Sequence, residues 1–341
     1  MESPSQIIEN ETASKSFPNH SFTRMRQIPI LSDFFNYLTA PRLPRTSLSI
    51  SETHLALITL KRSGGDFEPR NLGVSRLPAG VVRASFTEPN VSDELALIDR
   101  LSKTASRAGM GNIKALRVSL PPGSARSIVV ALDATPASRA ELEQMIEWKA
   151  ERGLGQKFGD LRVNYTRLSD LGGRPQYLVS ATTEQVIEQY ERIFKRLGWH
   201  AGMISPQHVG EAQWLMRQGL QDDQVVVSLN ERGFDAVIVR GREPLMVRQV
   251  ECAPEEAENE FYRLVVFYRD RLALEGADRP LNRALMIGPA SEQRRFHSVL
   301  AAAMERQVVV LDPRQIGLRV DPSAPFDHFA AAGGLATMAW N

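Results

Sequence analysis

The strongest constraint on the fold is a pattern that occurs twice. Ser47-Leu48-Ser49-Ile50-Ser51-Glu52-Thr53-His54-Leu55-Ala56-Leu57-Ile58 reads as strand, tight turn, strand. So does Val225-Val226-Val227-Ser228-Leu229-Asn230-Glu231-Arg232-Gly233-Phe234-Asp235-Ala236-Val237-Ile238-Val239. One copy stands in each half of a 341-residue chain, which has room for two domains or one bilobal unit. The 24% of charged residues balance to a net +1, so nothing predicts the basic stripe of a nucleic-acid surface.

The single cysteine, Cys252, has no disulfide partner, which fits a reducing compartment. It stands just before a helix start with no histidine beside it and reads as a buried structural thiol. No window approaches the ~18 apolar residues of a membrane span. The N-terminus lacks the apolar core of a signal peptide. These features predict a cytosolic chain with at most peripheral membrane contact.

Residues 1–45 read as a polar tail followed by a short amphipathic helix, capped by Ser32 and ended by Pro41, with Phe34, Phe35 and Leu38 on its apolar face. Arg24, Arg26, Arg42 and Arg45 flank it. It would rest on an anionic membrane or a partner, or dock on its own domain. Residues 46–120 read as a first half, with strands around Arg70–Leu77 and Val81–Phe86 and a helix from Ser92 that buries Leu95, Ile98, Leu101 and Ala105. Residues 121–204 read as an α+β insert, in which Ser138-Arg139-Ala140-Glu141 is a capping box opening a helix through Lys149. Leu161–Leu168 and Pro175–Ala181 are its strands, and Val186, Ile187, Tyr190, Ile193 and Leu197 recur at helical spacing after Thr183. Residues 205–341 read as a second half: the second hairpin, a third strand near Leu245, a long helix from Pro254, a strand–helix–strand unit from Arg283 to Leu311, and an alanine-rich closing helix.

This order resembles the PilM family of type IV pilus assembly proteins and the related cytoplasmic domains of type II secretion L-type proteins; more distantly it is similar to FtsA and actin. Three stretches carry the resemblance: the hairpin Ser47–Leu60; Val118-Ser119-Leu120-Pro121-Pro122-Gly123-Ser124-Ala125 with the helix Ser138–Glu151; and Tyr177-Leu178-Val179-Ser180-Ala181 followed by Leu197-Gly198-Trp199-His200-Ala201-Gly202. The resemblance implies an α/β, actin-like (ribonuclease H-like) bilobal core with a small α+β insert. It implies a scaffold at the cytoplasmic face of the inner membrane. Its partner would be a PilN-like bitopic membrane protein, whose short cytoplasmic tail lies between the first core subdomain and the insert. It leaves room for a homo-oligomer.

In the actin-like superfamily the two hairpins, each usually Asp-x-Gly, face each other and grip the phosphates of ATP. Here Ser49 and Ser228 stand at the Asp positions, and Ser51 and Asn230 at the Gly positions. A carboxylate would hold Mg²⁺ and position water, for which a hydroxyl is a poor substitute. Glycine would let the backbone approach phosphate closely. The family's basic position in the first loop falls on Ala56, and of the glycine run that would cradle adenosine only Gly288 remains, followed by Pro289-Ala290. Three degraded sites together predict a pseudo-ATPase with no catalytic residue and no cofactor. The plainer reading of Ser49, Ser51, Ser228 and Asn230 is that they cap turns and satisfy backbone groups.

The alternative is an actin-like ATP-binding protein or nucleotide-gated switch that takes ATP and Mg²⁺. Ser49, Ser51, Ser228, Asn230 and Gly288 would then contact nucleotide, with Glu231 or Asp235 replacing a lost carboxylate. A third reading, a small-molecule or sugar-binding protein on the same fold, has no conspicuous binding constellation behind it. His20, His54, His200, His208, His297 and His328 are scattered without metal-ligand spacing. Glu52 and His54 share a hairpin turn, where exposed polar residues are expected.

Overall fold

The computed structural model describes residues 44–272 and 280–340. The tail and short helix read for residues 1–43 lie outside the described residues.

Each hairpin is completed by a third antiparallel strand and then extended by parallel ones. In the first half β1 (Thr46–Ile50), β2 (His54–Ser63) and β3 (Asp66–Arg76) form the meander. β4 (Ala115–Ser119) and β8 (His200–Ser205) add in parallel, giving the order β3-β2-β1-β4-β8. In the second half β9 (Gln224–Asn230), β10 (Gly233–Arg240) and β11 (Glu243–Glu251) repeat the meander. β12 (Arg283–Ile287) and β13 (Val309–Val310) repeat the parallel extension, order β11-β10-β9-β12-β13. The two sheets therefore share one topology, and this is the bilobal core the sequence predicts.

Both hairpins are buried at most positions because both faces of each sheet are covered. Side chains alternate between faces. Leu48, Ile50, Leu55 and Leu57 enter the first half's own core, while Ala56, Ile58 and Leu60 enter a central one. In the second sheet Val225, Val227 and Leu229 face the outer core, and Val226, Val237 and Val239 face the central one. The outer layers are α1 (Glu94–Arg107) and α3 (Glu184–Arg196) on the first sheet, and α5 (Ala257–Phe267) and α6 (Ala290–Met304) on the second.

Two helices fill the layer between the sheets: α4 (Gln207–Met216) and α7 (Phe326–Thr337). α7 lies on β1, β2 and β4, and α4 lies on β9 and β10. They cross with backbone nearly touching. A Cβ on Gly210 would sit 2.5 Å from the carbonyl oxygen of Ala331, and a Cβ on Gly334 would collide with the carbonyl of Gly210. Trp214 of α4 donates its Nε1–H to the Ala330 carbonyl at 2.8 Å. Near the far end of α7, the fully buried Arg117 of β4 donates Nη2 to the carbonyls of Pro44 and Ala336.

The insert leaves the first sheet after β4. β5 (Arg126–Ala131), β7 (Arg174–Thr183) and β6 (Leu161–Leu171) form a three-stranded antiparallel sheet backed by α2 (Arg139–Leu154). Ser138 caps α2 by accepting from the Glu141 N–H at 3.1 Å, and Glu141 reaches back to the Ala137 N–H at 2.6 Å. The helix runs past Lys149 to Leu154, where Gly155 at φ 70° ends it.

The structure corrects several sequence readings. Val81–Phe86 is no strand and keeps one bridge, Val82 to Val91. Ser85 and Asn90 side chains satisfy the neighbouring backbone and compete with a ladder. α1 buries Leu97, Leu101, Thr104 and Ala105, and Leu95 is 66% exposed. Asp93, rather than Ser92, caps it by accepting from Ala96. The long helix begins at Ala257, not Pro254, and Cys252 is half-buried rather than buried. The face of α3 carrying Val186, Ile187, Tyr190 and Ile193 lies in the first half's core rather than against the insert sheet. Residues 200–205 have already rejoined the first sheet as β8.

The α4–α7 crossing gives a direct test. Gly210→Ala places a methyl group against backbone, which cannot move aside as a side chain can. The expected loss is about 1–3 kcal/mol or more, seen as a lower chemical-denaturation midpoint. Gly111→Ala, where a Cβ meets nothing within 4 Å, is expected to stay within about 0.5 kcal/mol of the parent.

Candidate functional site

The two hairpin turns come together with the end of β12 at one cleft of about 260 Å³. Ser51, Ser228, Asn230 and Gly288 all line it; Ser49 does not. The sequence thus picked out residues that the fold gathers, and the hydrogen bonds show how each is used.

Ser51 is consumed by its own turn. Its Oγ accepts from the His54 N–H at 2.9 Å and donates to the His54 carbonyl at 3.0 Å. Asn230 does the same for the second turn, its Oδ1 accepting from the Arg232 N–H at 2.9 Å. Ser49 donates to the His328 carbonyl at 3.0 Å and so fastens β1 to the first turn of α7. Ser228 is 2% exposed and donates to Glu211 Oε1 at 3.0 Å. Gly288 has φ 134°, and a Cβ there would come within 2.8 Å of Leu229 Cβ, so glycine lets the β12 end pass the second hairpin.

A link between the turns was not legible in the sequence. Glu52 Oε1 in the first turn accepts from Arg232 Nη2 in the second at 2.9 Å, and also from the Ala84 N–H at 2.8 Å. His54 stacks on His328, with ring centroids 3.8 Å apart and planes inclined by 18°. Burial, then His328 and Arg76, hold the His54 imidazole below its ordinary range, while Asp327 opposes them. Among the described residues Arg232 is the only lysine or arginine lining the cleft, against the carboxylates Glu52, Glu231, Glu292 and Asp327.

Beneath the Ser228–Asn230 strand end lies a buried polar cluster. Glu211 on α4 is fully buried and accepts from Gln207 at 2.9 Å and Ser228 at 3.0 Å, both through Oε1. Its Oε2 has no partner. Burial pushes the Glu211 carboxyl up to about 7; the Gln207 bond opposes this, the Asp235 charge adds to it and the Ser228 bond opposes it. Asp235 stands opposite Ser228 in the β9–β10 ladder, with Oδ2 3.8 Å from Nδ1 of the buried His208. Neither His208 nitrogen has a hydrogen-bond partner. Among the described residues no group of three or more His, Cys, Asp or Glu side chains is placed to hold a metal ion.

A second concavity, of about 650 Å³, lies between the insert sheet, β8 and the outer side of α4. Its apolar lining comes from Leu178 of β7, Ile187 of α3, Met203 and Ile204 of β8, and Val209 and Met216 of α4. Asn164, Thr166, Ser180 and Thr182 supply polar groups along the insert side. β6 and β8 are the outermost strands of their sheets among the described residues. Arg162 on its rim is paired with Glu184, and Arg167 with Asp170.

Two measurements check this geometry. Arg232→Ala removes an exposed ion pair, so stability is expected to change by less than about 1 kcal/mol. The distance distribution between spin labels at Thr53 and Glu231, with Cys252→Ser, is expected to broaden. The His54 imidazole is expected to titrate below the usual value of about 6.5 by NMR, and Asp327→Asn to lower it further.

No protein-family model matches the chain, and no curated protein matches it in sequence. Among solved structures, a chain of the "PilM-PilN type IV pilus biogenesis complex" superposes with a TM-score of 0.69 at 17% identity, covering 88% of this chain and 100% of that one. A protein with actin-like ATPase fold and unknown function from Bacteroides thetaiotaomicron gives 0.48 at 13% identity, covering 84% of this chain and 95% of that one. The cytoplasmic domain of EpsL, an inner membrane component of the type II secretion system of Vibrio cholerae, gives 0.45 at 11% identity, covering 86% of this chain and 93% of that one. At such identities the likeness establishes fold alone, and the last two are too distant to carry an argument. The chain has an actin-like bilobal core with an insert, and its fold resembles that found in the PilM-PilN complex, as its sequence resembles the PilM family.

Proposed function

We propose that the chain is a non-catalytic scaffold of a pilus-type assembly platform, and that it captures the cytoplasmic tail of a single-span inner-membrane protein. The observation that carries this reading is the groove between the insert sheet, β8 and α4. Its lining is apolar from β7, β8, α3 and α4 and polar from the insert strands, which suits an extended peptide. Two of its walls, the insert sheet and β8, are the parts between which the resemblance to the PilM family puts the partner's tail, while α4 and Arg242–Pro244 of the second half close it on the other side. The scaffold would sit at the cytoplasmic face of the membrane through that partner. Among the described residues no helix is long and apolar enough to cross a membrane.

The cleft supports the non-catalytic half of the reading. Ser51 and Asn230 have their side-chain oxygens committed to their own turns, and Ser228 donates to a buried carboxyl. The one guanidinium in the cleft is already paired with Glu52. A triphosphate would meet Glu231, Glu292 and Asp327 with no free lysine or arginine among the lining residues. Like-charge contacts of this kind oppose phosphate binding.

Two titrations test the reading on the full chain. The cytoplasmic tail peptide of a PilN-like single-span membrane protein is expected to bind with micromolar affinity. Val209→Asp, at a half-buried groove position, is expected to weaken it at least tenfold without loss of fold. Calorimetric titration with Mg·ATP is expected to give no heat. Micromolar ATP binding would instead favour the nucleotide-gated switch, and absence of peptide binding would remove the scaffold reading.

A further inference from the structure

We infer that Glu211, Asp235 and His208 form a buried proton-binding site that makes docking of the second hairpin on α4 depend on pH in the neutral range. The inference stands on placement. Three ionisable side chains from α4 and β10, each at least nine-tenths buried, meet under one strand end. Among the described residues, Glu211 Oε2, Asp235 Oδ2 and both His208 nitrogens lack hydrogen-bond partners. Groups buried this way are costly when charged and bare.

Charge balance then fixes what the cluster must do. The Asp235 charge disfavours a second negative charge beside it, so the fully buried Glu211 is tolerated only if it is neutral. Its two donors, Gln207 and Ser228, both bond to Oε1, so a charged Oε2 would face no donor. A proton on Oε2 removes that charge. The groups around the cluster do not supply a substitute. α7 presents Ala331 and Gly334 backbone to α4. Its first turn places Asp327 and His328 in the cleft, beyond Gln207 and Ser228. On the other side Asp235 borders a crevice of about 320 Å³ that also holds Arg126, Arg232, Arg248 and Glu251. Arg232 is committed to Glu52 and Arg126 to the Leu154 carbonyl, and Arg248, exposed on β11, stands opposite Ala236 rather than Asp235.

The sign follows from linkage. A carboxyl that binds its proton more tightly in the folded chain adds stability at acid pH, and that stability is lost as pH rises through its folded value. Because Ser228 and Gln207 line the cleft, a charged Glu211 is relieved by releasing the β9–β10 turn from α4. This would widen the cleft floor.

The test uses the full chain. The melting temperature of the parent is expected to fall by a few degrees between about pH 6 and pH 8 relative to Glu211→Gln, which mimics the protonated acid. His54 pulls the opposite way at acid pH, so the difference between parent and variant at each pH is what is read. Asp235→Asn is expected to move the midpoint of that difference to lower pH, since it removes the charge that helps hold the Glu211 proton. Hydrogen-exchange protection of the 229–233 amides, corrected for intrinsic rate, is expected to fall in the same window in the parent and stay level in Glu211→Gln. If Glu211→Gln does not fold, the infrared carbonyl band of a buried protonated carboxyl decides. It must be present in the parent at about pH 6 and fade by about pH 8. Absence of that band at the lower pH, or the same stability slope in parent and Glu211→Gln, overturns the inference.

Discussion

The close crossing of α4 and α7 sets the dimensions of the rest of the molecule. No side chain separates the two helices at Gly210 and Gly334, and the Trp214–Ala330 bond fixes their rotation. Because α7 lies on the first sheet and α4 on the second, the distance between these helices is the distance between the lobes. The hairpins project from the two sheets, so the same crossing determines how far apart their turns stand. The Glu52–Arg232 contact is a consequence of this spacing rather than its cause, since exposed ion pairs are too weak to draw lobes together.

Within that frame the polar groups of the cleft serve the protein itself. Oxygen atoms that would face a ligand close turns, fasten β1 to α7 or bond to Glu211. The imidazole stack and the carboxylates around it come from segments far apart in the chain. They give the cleft an acidic lining at neutral pH. The groove across the insert has a different character, with apolar residues from both the insert and the core and with Arg162 and Arg167 each paired to a carboxylate. α4 contributes to both concavities, through Gln207 on one side and Val209 on the other.

How much of this the sequence disclosed follows from the range of the interactions involved. The hairpins were legible because strand periodicity and turn chemistry are local, and so were the positions of Ser51, Ser228 and Asn230, which fall in a repeated motif, whereas Gly288 was marked only by the family resemblance. The insert helix was legible from its capping box. What was hidden depends on contacts between distant segments. Nothing near Glu52 announces Arg232, and nothing near His54 announces His328. The buried face of α1 was misread because Leu95 and Leu97 both fit a helical stripe, and only the packing of Thr104 against β3 chooses between them. Nothing in the sequence around Glu211 and His208 marks them as buried, because it is the second sheet that closes over them.

The position of Arg117 bears on how the chain carries load. Its guanidinium joins the carbonyl of Pro44, where the described chain enters the first sheet, to that of Ala336, near the end of the last helix. The first and last parts of the described chain are therefore stitched together through one strand in the middle of a sheet. Tension applied through the residues before Pro44 would reach β4 and the tail of α7 first. From there it would run along the helix axis toward His328, bypassing the insert. Mechanically the molecule is closer to a closed loop than to a string with two loose ends.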